Sequence, residues 1–255
     1  MATISVVIPV RNDAPMLRVC LAALAAQTRP ADEIIVVDNE STDDTAEVAA
    51  AGNARLITEP VTGIFPAAAA GFDAAKGEII ARLDADSVPP PDWLERIEAA
   101  LADTDGLTAI TGPGDFYGSN RLVHWLGRTV YIGGMFVFVG AMLGHPPLFG
   151  SNFAMPSLVW RRVRGSVNRS LPHIHDDLDL SYHLEPDMSV IYDPELRVGV
   201  SARPFASFSA LGRRLSWVPT TLSKDFREQP PVARFRARRA WAREHAPERA
   251  RRTVT

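Results

Sequence analysis

Glu78-Ile79-Ile80-Ala81-Arg82-Leu83-Asp84-Ala85-Asp86 is a strand-length run that closes on two carboxylates and is followed at once by Ser87-Val88-Pro89-Pro90-Pro91. The carboxylates therefore sit where a buried strand breaks into a loop. Open α/β sheets bind their ligands at the carboxyl ends of their strands. Hard divalent cations such as Mg or Mn bind through one or two carboxylates plus the phosphates of a substrate. Asp84 and Asp86 are accordingly candidate metal ligands, and a phosphorylated ligand such as a nucleotide suits them better than a bare ion.

Working outward, the first hundred residues alternate strand and helix signals. Ile4 to Val10 is a continuous apolar strand, Pro15 to Gln27 a helix, and Ile34 to Asp38 a second strand. A helix is expected from Asp43 to Ala51, capped by Ser41 or Thr42, then a short strand from Arg55 to Thr58. Pro66 opens a third helix through Ala75 with Gly77 as its C-cap. Glu78 to Asp84 is the next strand, Asp92 to Leu101 an amphipathic helix, and Leu107 to Gly112 another strand. Continuous apolar strands alternating with helices predict an α/β fold with a mostly parallel central sheet covered on both faces.

The second half is less regular. Val130 to Gly144 carries no charge, but it is shorter than the roughly 20 residues that span a bilayer and holds four glycines, so it is expected to be buried or interfacial. A helix is expected from near Asp177, with strands at Ser189 to Tyr192 and Leu196 to Val200. The expected organisation is one domain in two halves (1–112 and 113–202) followed by a basic, helical extension (203–255).

The net charge of −3 conceals an uneven distribution. Arg203 to Thr255 holds 13 Lys and Arg against 4 Asp and Glu, leaving 14 against 26 in the body. Such a tail reads as a solvated helix face or as peripheral contact with anionic membrane; no nucleic-acid partner is expected. The one cysteine, Cys20, shares a helix face with Leu17, Leu21 and Leu24 and reads as core. With no basic n-region after Met1, no signal peptide is expected, and the protein is placed on the cytoplasmic side, on the inner face of the membrane if it touches one.

If the sheet is parallel, its strand ends share one edge. Arg11 and Asp38 would then meet Asp84 and Asp86 in one crevice. Neither a Gly-x-Gly-x-x-Gly fingerprint nor a Walker-type loop accounts for that crevice. His173 and His175 have a zinc-compatible spacing, but no further cluster completes a ligand set.

These segments, in this order, resemble the inverting glycosyltransferases of family 2, which have the GT-A fold, a single Rossmann-like domain. The resemblance rests on Ser5 to Asn12, on Asp38-Asn39-Glu40-Ser41-Thr42-Asp43-Asp44-Thr45, and on Asp84-Ala85-Asp86. It extends to Gly150-Ser151-Asn152-Phe153-Ala154-Met155 and to His175-Asp176-Asp177-Leu178-Asp179-Leu180-Ser181. It implies a nucleotide-sugar-binding first half (1–112) and an acceptor-binding, base-bearing second half of the same domain (113–202), with donor contacts from Pro9, Arg11, Asp38, Arg82, Asp84, Ala85, Asp86 and Asn152 and Mg or Mn at Asp84 and Asp86. It makes Asp177 the general base and Asp176 its companion, acting on a UDP- or GDP-sugar donor and a glycan, lipid-linked or small-molecule acceptor. Asp176, Asp177 and Asp179 are also what a helix N-terminus favours by its dipole alone. Arg213 and Arg214, near Trp217, are candidates for a diphosphate clamp or for a basic helix face.

The sequence departs from the family where many members carry an Arg-Asn pair: here the residues are Ala68 and Ala69. The Gln-x-x-Arg-Trp motif of processive members is absent, which points to single-sugar transfer. The competing readings are a nucleotidyltransferase, which also uses paired carboxylates and metal, and a non-catalytic nucleotide-sugar-binding module at a membrane.

Overall fold

The computed structural model describes residues 1–118, 133–169, 174–203, 221–224, 226, 227 and 229–245. Its strands are β1 (Ile4–Val10), β2 (Glu33–Asp38), β3 (Arg55–Thr58), β4 (Ile79–Arg82), β5 (Ser87–Val88), β6 (Thr108–Thr111), β7 (Gly114–Tyr117), β8 (Phe153–Pro156), β9 (Ser189–Tyr192) and β10 (Val198–Ser201). Its helices are α1 (Ala14–Ala25), α2 (Thr45–Ala51), α3 (Ile64–Ala74), α4 (Trp93–Leu101), α5 (Gly133–Leu143), α6 (Ser157–Val163), α7 (Asp176–His183) and α8 (Pro231–Glu244).

The main sheet has the order β3-β2-β1-β4-β8-β6-β9, and a small one has β5-β10-β7. In the main sheet β1 pairs in parallel with β2 and β4, β2 with β3, and β6 with β9; β8 runs antiparallel to both β4 and β6. The fold is the mostly parallel α/β sheet that the strand-helix alternation predicts. The two expected halves share this one sheet.

Both faces are covered, which is why β1 is apolar throughout. Ile4, Val6, Ile8 and Val10 pack with Leu17, Cys20 and Leu24 of α1 and Trp93 and Ile97 of α4. Val7 points the other way, with Ile35 and Val37, onto Phe65 and Phe72 of α3 and Trp160 of α6. Successive strand residues face opposite sides, so one strand feeds two cores. Gly71 lets α3 lie flat on the sheet, since a Cβ there would stand 2.3 Å from Val7 Cγ1.

Two expected helix signals are corrected. α3 ends at Ala74 with Ala75 as its C-cap; Gly77 instead passes so close to β1 that a Cβ would stand 2.6 Å from Ser5 N, and its N–H donates to Ser5 Oγ at 2.8 Å. Ser41 and Thr42 do not cap α2. Ser41 Oγ accepts from Asn12 N and Asn12 Oδ1 accepts from Thr42 N, while Asp43 accepts from Thr45 at the start of α2 and from Ala14 at the start of α1. One carboxylate thus ties together the two loops that follow β1 and β2.

The described part of the Val130–Gly144 stretch is α5. Val139 and Leu143 pack on Leu178 and Tyr182 of α7, whereas Val137 and Phe138 are 75% and 63% exposed. Among the described residues no helix is long and apolar enough to cross a membrane.

Candidate active site

Arg82, the last residue of β4, is the hub of the site. Its guanidinium is only 2% exposed and donates to Asp84 Oδ1 at 2.9 Å and to Asp176 Oδ2 at 2.5 Å. Burial opposes the charge, but Asp176, Asp84 and Asp177 outweigh it and hold Arg82 firmly protonated. Asp176 is buried deeply enough that, even beside Arg82, its carboxyl is pushed up to about 6, with Asp177 and Asp84 adding to the effect of burial.

β8 brings the third segment in. Arg82 registers opposite Phe153, so Gly150 and Ser151 arrive beside the end of β4. Ser151 Oγ donates to Asp84 Oδ2 at 2.6 Å. The Gly150 N–H donates to Asp177 Oδ2 at 2.9 Å, and the Asp177 Oδ1 accepts from Leu178 N at 2.8 Å. Residue 150 must be small, since a Cβ would stand 2.9 Å from Arg82 Nη1 and 3.1 Å from Asp177 Oδ2. Asp84, Asp176 and Asp177, nearly a hundred residues apart, are thus joined through Arg82 and Gly150.

Asp86 lies on the other side of Asp84. Burial, then the charge of Asp84, raises its pKa, partly offset by Arg203. Arg203 Nη2 donates to Asp86 Oδ2 at 3.0 Å, and the same guanidinium grips both oxygens of Asp13 at 2.9 and 2.5 Å. Tyr117 Oη donates to the Asp86 carbonyl at 2.7 Å. Asp13, Tyr117, Ser151 and Arg203 were not singled out by sequence reasoning. Arg203 reads there only as the first residue of the basic tail, Ser151 stands in the Gly150 to Met155 segment with no role assigned to it, and Asp13 and Tyr117 are single polar residues.

Arg11 is exposed at the end of β1, and half-buried Asp38 ends β2, its Oδ1 accepting from Ser41 N at 3.0 Å. Both stand on the sheet edge that carries Asp84. The structure buries four of the residues expected to contact the donor. Pro9 and Ala85 are buried, Ala85 within the core under α1 and α4. Arg82 is enclosed by its carboxylates and positions them. Asn152 is fully buried, accepting from Trp93 Nε1 at 2.9 Å and donating to the carbonyls of Pro113 and Leu196; it pins the site loop to α4 and to the segment before β10. Asp179 is also buried, holding the backbone and side chain of Asn168. Ala68 and Ala69 are buried against the sheet and offer no polar group. Arg213, Arg214, Trp217 and His173 lie outside the described residues.

The carboxylate pair fits a hard divalent cation. Its donors are all oxygen, it lies at the sheet's ligand edge, and burial followed by the charge of Asp84 raises Asp86, both of which a cation would offset. Among the described residues no cluster of three or more His, Cys, Asp or Glu forms a self-sufficient metal cage. Any ion here would complete its coordination with ligand phosphates.

Known proteins match this arrangement. The model of glycosyl transferase family 2 matches residues 5–151, and that of glycosyl transferase family group 2 matches residues 79–244. The chain belongs to glycosyl transferase family 2. Glycosyltransferase AglE of Haloferax volcanii is 38% identical over 126 residues, 46% of this chain and 38% of that protein. The chain thus spans well under half of that relative's length. Among solved structures, a mannosyltransferase of Pyrobaculum calidifontis, crystallised with GDP-Man and Mn2+, superposes with a TM-score of 0.72 at 20% identity, covering 91% of this chain and 67% of its own. Glucosyl-3-phosphoglycerate synthase of Mycobacterium tuberculosis, crystallised with Mn2+, UDP and glucosyl-3-phosphoglycerate, superposes with a TM-score of 0.58 at 22% identity, covering 86% and 79%. These likenesses are of fold.

Proposed function

We propose that this family 2 member transfers a single sugar, with inversion, from a nucleotide-diphosphate donor to an acceptor hydroxyl or phosphate. The observation that carries this reading is the junction of Asp84 and Asp177 through Arg82 and Gly150 at the carboxyl edge of the sheet. Asp177, oriented by the N–H groups of Gly150 and Leu178, takes the proton of the acceptor as its oxygen attacks the anomeric carbon. The bond from that carbon to the diphosphate breaks on the opposite face, and the configuration inverts. Asp84 and Asp86 would hold Mg or Mn, which supplies positive charge to the departing diphosphate. Arg11 and Asp38 stand where the donor's nucleotide would lie, Arg203 stands beside the diphosphate position, and Arg213 and Arg214 remain candidates for a clamp on it.

UDP- and GDP-sugars are incubated with Mn, acceptor extracts and the full chain, and the released nucleotide is identified. Free nucleoside diphosphate is expected. Pyrophosphate would assign the chain to nucleotidyl transfer, and donor binding without any product would make it a binding module. Asp177→Asn should lower turnover at least about 100-fold with donor binding kept, whereas Asp86→Asn should lose the Mn-dependent part of donor binding. An active Asp177→Asn enzyme removes Asp177 as the base. Exposed Val137 and Phe138, with the basic C-terminal segment, support peripheral contact with anionic membrane as part of this reading. Failure to float with anionic liposomes at low salt would end it.

A further inference from the structure

Three consecutive backbone N–H groups of the strip that leads into β8 are each taken by a side-chain oxygen of another element. Leu148 N donates to Ser181 Oγ at 2.8 Å, Phe149 N to Thr111 Oγ1 at 3.1 Å, and Gly150 N to Asp177 Oδ2 at 2.9 Å. Ser181 and Asp177 lie on α7, and Thr111 ends β6. Both hydroxyl-bearing residues are fully buried. Thr111 Oγ1 also donates to Asn152 O at 3.0 Å, so it clasps the strip on both sides of Gly150.

Ser181 closes a ring on Asp177. One turn along α7, its hydroxyl donates to Asp177 O at 2.5 Å while the same oxygen accepts from Leu148 N. A helical serine can return its hydroxyl to the carbonyl four residues back. Here the oxygen also takes an N–H from a distant segment, which needs a proton and a lone pair at one atom, and among small side chains a hydroxyl supplies both. One three-residue strip therefore holds Asp177 twice, at its carbonyl through Ser181 and at its carboxylate through Gly150. Consecutive Cα atoms are about 3.8 Å apart. With residues 148 and 149 both anchored, the Gly150 N–H has little room to leave the carboxylate. A general base must stand within hydrogen-bond reach of the proton it takes, and a misplacement of about 1 Å can cost about 100-fold in rate.

We propose that Ser181 is a positioning residue for the Asp177 carboxylate, acting through Leu148 and Gly150 without touching substrate. The inference rests on the reading of Asp177 as the base of sugar transfer. Full-length wild type, Ser181→Ala and Ser181→Thr are compared for turnover of UDP- and GDP-sugars with Mn, and for amide exchange followed by NMR. In Ser181→Ala, kcat should fall at least about tenfold while the donor KM stays within about twofold. Ser181→Thr keeps the hydroxyl and should recover most of that loss. The Leu148 and Gly150 N–H groups should exchange at least about tenfold faster in Ser181→Ala, while those of β1 keep their rates. An unchanged kcat, a donor KM that rises in step with the loss, or Ser181→Thr no better than Ser181→Ala overturns the proposal. Should Ser181→Ala fail to fold, Ser181→Cys, which nearly keeps the volume but hydrogen-bonds weakly, must show the same loss. Should wild type transfer no sugar, the transferase reading falls and exchange alone decides the ring: Gly150 protection unchanged in Ser181→Ala overturns it.

Discussion

Replacing Arg82 with methionine tests the charge architecture of the site most directly. Methionine approximates the length of the side chain and suits the apolar strand, so the perturbation is mainly the loss of one buried cation. Two carboxylates lose their partner, but unequally. Asp84 is 31% exposed and can rehydrate, whereas the Asp176 side chain is 9% exposed and cannot. The expected cost is therefore that of stranding one buried charge, about 3–5 kcal/mol at pH 8. It should depend on pH with a definite sign. Without Arg82, the folded-state pKa of Asp176 rises further above its unfolded value, so the native state binds the extra proton. Stability then falls as pH rises through the window between the two values, by at most about 1.4 kcal/mol per pH unit. The variant should be penalised less at pH 5 than at pH 8. Urea unfolding followed by circular dichroism at both pH values measures this, and Arg82→Met/Asp176→Asn should recover a large part of the loss, since residues in direct contact are non-additive. A cost under about 1 kcal/mol, a cost independent of pH, or strict additivity in the double variant would refute the picture of Arg82 as the counter-ion of a buried Asp176.

Gly112→Ala should destabilise the chain by at least about 1–3 kcal/mol in the same unfolding assay, because its Cβ would stand 1.9 Å from the Leu196 carbonyl oxygen, which belongs to backbone and cannot swing away. Asn152→Ala should cost at least about 2 kcal/mol, since it strands the buried Trp93 Nε1 and removes the Asn152 donor from the Leu196 carbonyl, while Pro113 O keeps the Val198 N–H; Trp93→Phe on top of it should add less than it does alone. Arg203→Ala should tighten Mn2+ binding, read by the spin resonance of the free ion, because it removes a cation already seated on Asp86. Unchanged or weaker Mn2+ binding would mean that Arg203 does not compete for that carboxylate.

Much of the fold is legible in local signals. β1 reads as a buried strand because every residue from Ile4 to Val10 is apolar or small, and such uniformity is what two covered faces demand. Asp84, Asp86 and Asp177 are legible because chemistry fixes the residue type and the strand end or helix start fixes the place. What remains hidden are contacts that depend on which strand lies next to which. Nothing near Gly150 says that β8 runs against its neighbours, so the partnership of Gly150 with Arg82 and Asp177 has no linear signature. For the same reason the bracing bonds of Asn152 to Trp93, Pro113 and Leu196 have no linear signature, and Arg203 reads as tail although it lies against Asp86. Ser41 and Thr42 have the composition of caps, but Asn12 from another loop claims them first.

The reversed direction of β8 has an architectural consequence. Because its first residues emerge at the edge where the parallel strands finish, Asp84 after β4 and Gly150 before β8, whose N–H holds the Asp177 carboxylate of α7, rest on neighbouring strands of a single ladder. Neighbouring strands lie a little under 5 Å apart. Their spacing is set by hydrogen-bonded sheet and not by a hinge between two bodies. The frame that carries Asp84 and orients Asp177 is therefore fixed by backbone pairing, and under the proposed transferase reading substrate preference can drift in the surrounding loops while that spacing stays where the sheet put it.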